Sequence, residues 1–461
     1  MTSRKDGPPD RRAKSKMSGN MSGMNQQLPV CVIGAGVSGL TSIKQLRDRG
    51  IDVVCFETGS DVGGIWRYDN DSGRSPAYAS LHIDTSKERF AYADHPVPRK
   101  WPTYLHHTQV LEYLESYTDR FAVRDAIRFR HEVTAVLPED GGWRVEVRDL
   151  DTDEVTSDLF RAVVVASGHH WDPNIPEQSG SFSGEIMHAR SYRTPDRFIG
   201  KDVVVVGLGN TGADIACELS WHAASVTIST RSGAHILPRY ILGRPLDRIS
   251  TRASSRLPLV VQRLAYQALL RIARGSQEAY GVPTPDAPLL SQHPTVSQDL
   301  LGLVKDGQIV VKGDVSRFAD NEVVFANGDS VSADVIIYAT GYTITFPFFD
   351  ESVFVVRDNR VDLYKMVVPV DTEGLYFVGL IQPVGAMPPL VEQQARWVAQ
   401  LLDGALLPSS GEMRAEVVVD RYTRQKQYLE RPRHTIQVDY WPYLDQMRAL
   451  CDANDAQRSG E

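Results

Sequence analysis

Residues 29–57 read PVCVIGAGVSGLTSIKQLRDRGIDVVCFE, and this stretch decides the fold. A short apolar run (Val30, Val32, Ile33) breaks into Gly34-Ala35-Gly36-Val37-Ser38-Gly39. A helix-like segment follows from Leu40 to Asp48, and a second apolar run, Ile51 to Phe56, ends in Glu57. The pattern predicts strand, glycine turn, helix, strand. Glycine serves the turn in three ways: tight reversal, close approach of backbone to a pyrophosphate, and close packing of helix on strand, with the helix N-terminus facing the phosphate charge. Glu57 is placed to accept hydrogen bonds from a ribose diol. A G-x-G-x-x-G spacing set between two apolar strands and closed by an acid reads as a dinucleotide site.

The same grammar recurs once. Asp202 to Val206 predicts a strand, Gly207-Leu208-Gly209-Asn210-Thr211-Gly212 a turn, Ala213 to Trp221 a helix and Val226 to Thr230 a second strand, which ends in Arg231 instead of an acid. A guanidinium there suits a 2′-phosphate, so this unit should prefer NADP over NAD. The acidic unit fits the free ribose of FAD. A chain with both has the parts for moving a hydride from nicotinamide to flavin. The fold class is therefore α/β, with two Rossmann-like dinucleotide-binding domains, the NADP domain inserted in the FAD domain.

Composition agrees. At 461 residues, with 42% hydrophobic and 23% charged side chains, the chain is globular and too long for one core. A formal net charge of -8 argues against a nucleic-acid partner, whose phosphates demand a basic face. Cys31, Cys55, Cys217 and Cys451 are scattered with no C-x-x-C pair, which excludes a disulfide framework, a zinc ribbon and a dithiol redox site. No metal-ligand spacing stands out, and the adjacent His106 and His107 read as packing or hydrogen-bonding residues. No stretch approaches about 20 uninterrupted apolar residues, so no transmembrane span is expected and the cytoplasm follows.

The expected organisation begins with a disordered tail over 1–27, too poor in aliphatic residues to offset its ordering entropy. Residues 28–170 form the first part of the FAD domain, 171–332 the NADP domain with a helical insertion at about 236–290, and 333–450 the rest of the FAD domain with C-terminal helices. The polar end, 451–461, is expected to fray. After Glu57, a glycine-rich loop carries Gly64, Ile65 and Trp66, whose indole can wall off a planar ring. In Arg256 to Arg274 the residues Leu257, Val260, Val261, Leu264, Leu269 and Ile272 fall near one face, predicting an amphipathic helix with a basic side. That face is expected to pack on the nucleotide domain or on a second subunit, as in a homodimer; contact with a membrane surface is the other reading.

Between the two units, Phe182-Ser183-Gly184-Glu185-Ile186-Met187-His188-Ala189-Arg190-Ser191-Tyr192 matches F-x-G-x-x-x-H-x-x-x-Y. With VGGIW, SGHHWDP, GLGNTGAD, STRSGA, YATGY and GLIQPVGAMPP in the same order, the chain from Pro29 to about Leu402 resembles the flavin-containing monooxygenases. The resemblance implies FAD and NADPH as cofactors, with dioxygen and a small molecule as substrates. A C4a-hydroperoxide of the flavin would pass its distal oxygen to an amine nitrogen or a sulfide sulfur. It implies cofactor contacts at Gly34, Gly36, Ser38, Gly39, Glu57, Gly64, Ile65, Trp66, Thr85, Val133, Gly207, Gly209, Asn210, Thr211, Gly212, Arg231, Thr340, Gly341 and Gly379, with Asp84, Tyr192 and Gln382 at the chemistry. His188 is expected to brace the linker against the NADP domain.

Baeyer–Villiger enzymes look similar but close the fingerprint with Trp where this chain has Tyr192, which points away from ester formation. An NADPH oxidase releasing peroxide is the other alternative. One departure bears on it: where the family usually carries an Asn that contacts flavin and NADP, the segment Ile83-Asp84-Thr85-Ser86-Lys87 has Asp84. An amide donates and accepts, whereas an ionised carboxylate only accepts. Asp84 is then protonated, or re-paired with a cation such as Lys87, or oxygen transfer leaks hydrogen peroxide.

Overall fold

The computed structural model describes residues 27–429 and 434–459, and its frame is two parallel sheets made from the β-branched runs. In chain order the principal elements are β1 (Val30–Ile33), α1 (Val37–Arg47), β2 (Val53–Glu57), α2 (His107–Arg120), β3 (Ile127–Phe129), β4 (His131–Glu139), β5 (Gly142–Asp149), β6 (Val155–Phe160) and β7 (Ala162–Val165). Then come β8 (Glu185–His188), β9 (Asp202–Val206), α3 (Asn210–Leu219), β10 (Ser225–Ser229), α4 (Leu259–Arg274), α5 (Leu300–Lys305), β11 (Val310–Lys312), β12 (Val315–Ala319), β13 (Glu322–Phe325), β14 (Ser330–Ser332) and β15 (Val335–Tyr338). The chain closes with β16 (Leu375–Phe377), α6 (Pro388–Leu402), α7 (Ser410–Gln427) and α8 (Tyr440–Ser459).

The first sheet runs β16-β7-β1-β2-β3 and the second β11-β10-β9-β15-β8, with every neighbouring pair parallel. Covered on both faces, parallel strands carry continuous apolar runs, and β1, β7 and β15 are buried at every position. Helix α6 packs between α1 and α8 in the core that the first sheet shares. Two antiparallel three-stranded sheets, β4-β5-β6 and β12-β13-β14, sit beside the parallel ones.

Three expectations are corrected. The boundary at 332/333 is wrong, because β15 pairs with β9 from Val203↔Val335 to Val206↔Tyr338 and so belongs to the second sheet; the return to the first sheet is β16, beside β7. A buried parallel strand looks the same in either sheet, and only its partner tells them apart. The end 451–461 does not fray over its described part: α8 continues to Ser459. Asp455 there receives Arg49 at 2.7 Å and Arg396 at 2.6 Å, and Cys451 is buried, so the polar composition encodes ion pairs to the turn just past α1 and to α6. The expected tail, 1–27, lies outside the described residues but for its last.

The third concerns α4. Leu257, Val260, Val261, Leu264 and Ile272 are 45–77% exposed and so do not pack on the nucleotide domain, which leaves only the second-subunit half of that reading. The side that packs carries Tyr266, Leu269 and Leu270, against Leu237, Ile241 and Leu289. Among the described residues no helix is long and apolar enough to cross a membrane.

Candidate functional site

Each glycine turn is shaped by the strand that leaves its sheet beside it. Gly34 and Gly207 have φ of 99° and 118°, the region where glycine is favoured. A Cβ on Gly34 would stand 2.9 Å from the carbonyl oxygen of Ala166, just past β7, and one on Gly207 would stand 2.5 Å from that of Ala339, just past β15. The third glycines do a different task. A Cβ on Gly39 would meet the Gly34 oxygen at 1.8 Å, and one on Gly212 the Gly207 oxygen at 2.2 Å, so both seat helix on strand and neither lines the cavity.

A cavity of about 1270 Å³ runs from one turn to the other. Of the residues singled out from the sequence, it is lined by Gly34, Gly36, Ser38, Glu57, Gly64, Ile65, Trp66, Asp84, Thr85 and Val133 from the first unit. From the second unit and the returning chain come Gly207, Gly209, Asn210, Thr211, Arg231, Thr340, Gly341, Gly379 and Gln382. The open backbone of Gly209, where an added Cβ would meet nothing within 4 Å, is room of the kind a phosphate needs. Among these, Glu57 is buried, and its Oε2 accepts the Ala35 N–H at 2.7 Å while Oε1 accepts that of Gly59 at 2.8 Å. Burial pushes its carboxyl up and the two N–H groups pull it back. Each oxygen keeps a lone pair for a ribose hydroxyl. Exposed Arg231 sits past the end of β10, where a 2′-phosphate fits. The residues present therefore fit FAD at the first turn and NADPH at the second.

Tyr192 does not line the cavity. It is fully buried, stacked on Phe198 at 5.5 Å, and its hydroxyl donates to Glu218 Oε2 at 2.6 Å. The expected chemical role is corrected to a structural one: the fingerprint's last residue builds the core of the second unit. His188, at the end of β8, ties the chain just past β15 to the second sheet. Its Nδ1 accepts the Arg190 N–H at 3.1 Å, which leaves the proton on Nε2 to donate to the Gly341 oxygen at 3.0 Å. His106 caps α2 in a reciprocal box with Gln109.

Asp84 finds an unforeseen partner. Lys87 is committed elsewhere, its Nζ donating to the carbonyls of Arg99 and Trp101. The cation beside Asp84 is Arg239, with Nη2 3.7 Å from Asp84 Oδ1 and 3.9 Å from Asp214 Oδ1. Tyr78 donates to Asp214 Oδ2 at 2.8 Å. Burial first, and the Asp214 charge second, push the Asp84 carboxyl up to about 8. Asp214 ends the GLGNTGAD turn, so the sequence held a hint of it; Arg239 lies in the irregular insertion and gave none. His169 and His170, in the linker, also line the cavity, and burial keeps both imidazoles neutral.

Two dinucleotide folds facing one cavity, one closed by an acid and the other by a guanidinium, define a two-nucleotide flavoprotein oxidoreductase. A family model described as flavin-binding monooxygenase-like matches residues 27–457. Flavin-containing monooxygenase 5 of Rattus norvegicus is 39% identical over 446 residues, 92% of this chain and 82% of that protein. Dimethylaniline monooxygenase [N-oxide-forming] 2 of Pan troglodytes is 36% identical over 438 residues, 91% and 81% of the two chains. Among solved structures, S-allyl-L-cysteine S-oxygenase from Allium sativum has a TM-score of 0.70 at 26% identity, covering 92% of this chain and 88% of that one. The chain belongs to the flavin-containing monooxygenase family and is an FAD-dependent NADPH monooxygenase.

Proposed function

We propose that the protein oxygenates a soft nucleophilic atom, an amine nitrogen or a sulfide sulfur, of a small molecule. The observation that carries this is the single cavity joining a Glu57-closed turn to an Arg231-closed turn. Gly34, Gly36 and Ser38 would hold the FAD pyrophosphate with Glu57 on its ribose; Gly207, Gly209, Asn210 and Thr211 would hold that of NADPH with Arg231 on the 2′-phosphate. FAD bound there would supply the redox chemistry, as hydride acceptor from NADPH and as the partner of dioxygen in oxygen transfer. The chain's own residues then orient and enclose. Trp66, held edge-on against Phe90 at 6.2 Å, walls the flavin side, while Thr340, Gly341, Gly379 and Gln382 close the cavity from the returning chain. No protein nucleophile is required. Among the relatives, one name specifies N-oxide formation and one S-oxygenation, which supports the substrate class.

A cytoplasmic location rests on composition, and a homodimer on the unpartnered apolar residues of α4. The test is a panel of tertiary amines, sulfides and cyclic ketones, with N-oxide, sulfoxide, ester and hydrogen peroxide counted against NADPH consumed. N-oxide or sulfoxide should account for most of the NADPH. Ester from ketones alone, or peroxide equal to NADPH with every substrate, would overturn the reading.

A further inference from the structure

Asp84 and Asp214 come from different units, the first from the loop ahead of Ser86 and the second from α3, and both line the cavity between the two glycine turns. One guanidinium serves both, at 3.7 and 3.9 Å, beyond hydrogen-bond reach of either. Two carboxylates and one guanidinium leave a net negative charge in a partly buried site unless one proton is bound, and like charges so close disfavour ionising both.

The hydrogen bonds say which carboxyl holds that proton. Asp214 Oδ2 accepts from the Tyr78 hydroxyl at 2.8 Å, an interaction that favours its ionised form. Asp84 accepts none: Oδ1 is buried with no hydrogen-bond partner, as is Nε of Arg239. With Oδ1 buried on the Arg239 side, the 26% of the Asp84 side chain that remains accessible lies on its other side, toward the cavity. Further ionisable groups around the pair are Glu218 and Cys217 on α3 and Asp299 ahead of α5, on the Asp214 side; the Tyr104 ring beneath Arg239; His82 two residues before Asp84; and Asp247, which accepts from Ser86 two residues after it. Burial first, and Glu218 and Asp299 with it, push the Asp214 carboxyl up, while Arg239 and the Tyr78 hydroxyl oppose that rise and favour its ionised form.

We propose that Asp214 is a positioning residue that, with Arg239, holds Asp84 as the neutral acid, so that its carboxyl donates a hydrogen bond into the cavity as an amide at that place would. The Asp in the motif then preserves donor capacity, provided the second carboxylate stays in place. The donor's target is the bound flavin and nicotinamide, and in that clause the inference rests on the function proposed above; the protonation of Asp84 does not.

The test is infrared difference titration of the holoenzyme, following the C=O stretch of a protonated carboxyl, beside a pH profile of product formed per NADPH consumed. The parent should show a protonated-carboxyl band that is lost near pH 8, absent from Asp84→Asn. Asp214→Asn, which keeps an acceptor for Tyr78, should move that midpoint down by about one pH unit or more, and Arg239→Gln should move it up. Coupling should follow the same midpoints and become flat with pH in Asp84→Asn, where adding Asp214→Asn should change it less than twofold. A role in packing alone would give shifts of one sign and no rescue. A band with the midpoint near pH 8 that survives Asp84→Asn, apart from the Glu392 carboxyl that loses its proton near pH 7, or an unmoved midpoint in Asp214→Asn, would overturn the inference. Failure of the parent to oxygenate any panel substrate would sink the function instead, with the infrared result still decisive for Asp84.

Discussion

Tyr192 and Glu218 are joined by a 2.6 Å hydrogen bond inside the second unit, closing the fingerprint against α3. Tyr192→Phe removes a buried donor and leaves Oε2 of Glu218 short of a partner. The expected loss is about 1–2 kcal/mol of stability, read by denaturant unfolding. A loss of turnover by tenfold or more at unchanged stability would restore the chemical role to Tyr192.

Arg231 is exposed and lines the cavity past β10, with an ordinary loop around it, so its removal costs little folding energy. Arg231→Ala should raise the KM for NADPH by about 10- to 100-fold, the scale of a lost charge-assisted contact, and move that for NADH less than threefold. Equal effects on both would remove the 2′-phosphate assignment.

Glu57 is held from behind by the N–H groups of Ala35 and Gly59, which fix the carboxylate before any ligand arrives. Replacing it by Gln keeps one acceptor oxygen and puts an NH₂ against an N–H. FAD retention after desalting should fall, with a weakening of about 10-fold or more in the dissociation constant by fluorescence titration. NADPH affinity, set at the other turn, should stay within about twofold.

Glu392 of α6 is 4% exposed and accepts the Ala93 N–H with both oxygens. Burial pushes its carboxyl from 4.5 up to about 7, with the Asp94 charge adding to the rise and the Ala93 N–H opposing it. A raised carboxyl binds its proton more tightly in the folded state than in the unfolded one. Stability from this group is therefore present below about 4.5 and is lost as pH climbs to about 7, amounting to up to about 3 kcal/mol. Glu392→Gln should flatten the fall of Tm across that window and melt higher than the parent at pH 8; the same slope in both would refute the assignment.

Much of the site was legible because its parts are local. The strand, turn and helix of residues 30–57 are consecutive, so the spacing of Gly34, Gly36 and Gly39 states which backbone positions lack room for a Cβ, and Glu57 marks the strand end. The second unit was legible for the same reason. Tyr192 misled because a fingerprint records that a position matters without recording what it touches; its partner Glu218 is 26 residues away. The α4 face misled because periodicity shows which residues share a side, while their burial depends on what stands opposite.

The sequence by itself determined the two dinucleotide units, their cofactor preference and the family, since each rests on residues a few positions apart whose backbone demands are intrinsic. Only the tertiary structure decided that β15 joins the second sheet, that the polar end of the chain is tied down by Arg49 and Arg396, and that Asp84 meets Asp214 and Arg239. Strand pairing, ion pairing and the sharing of a proton depend on distance in space, and the residues concerned lie 59 to 406 positions apart along the chain, where no local pattern reaches.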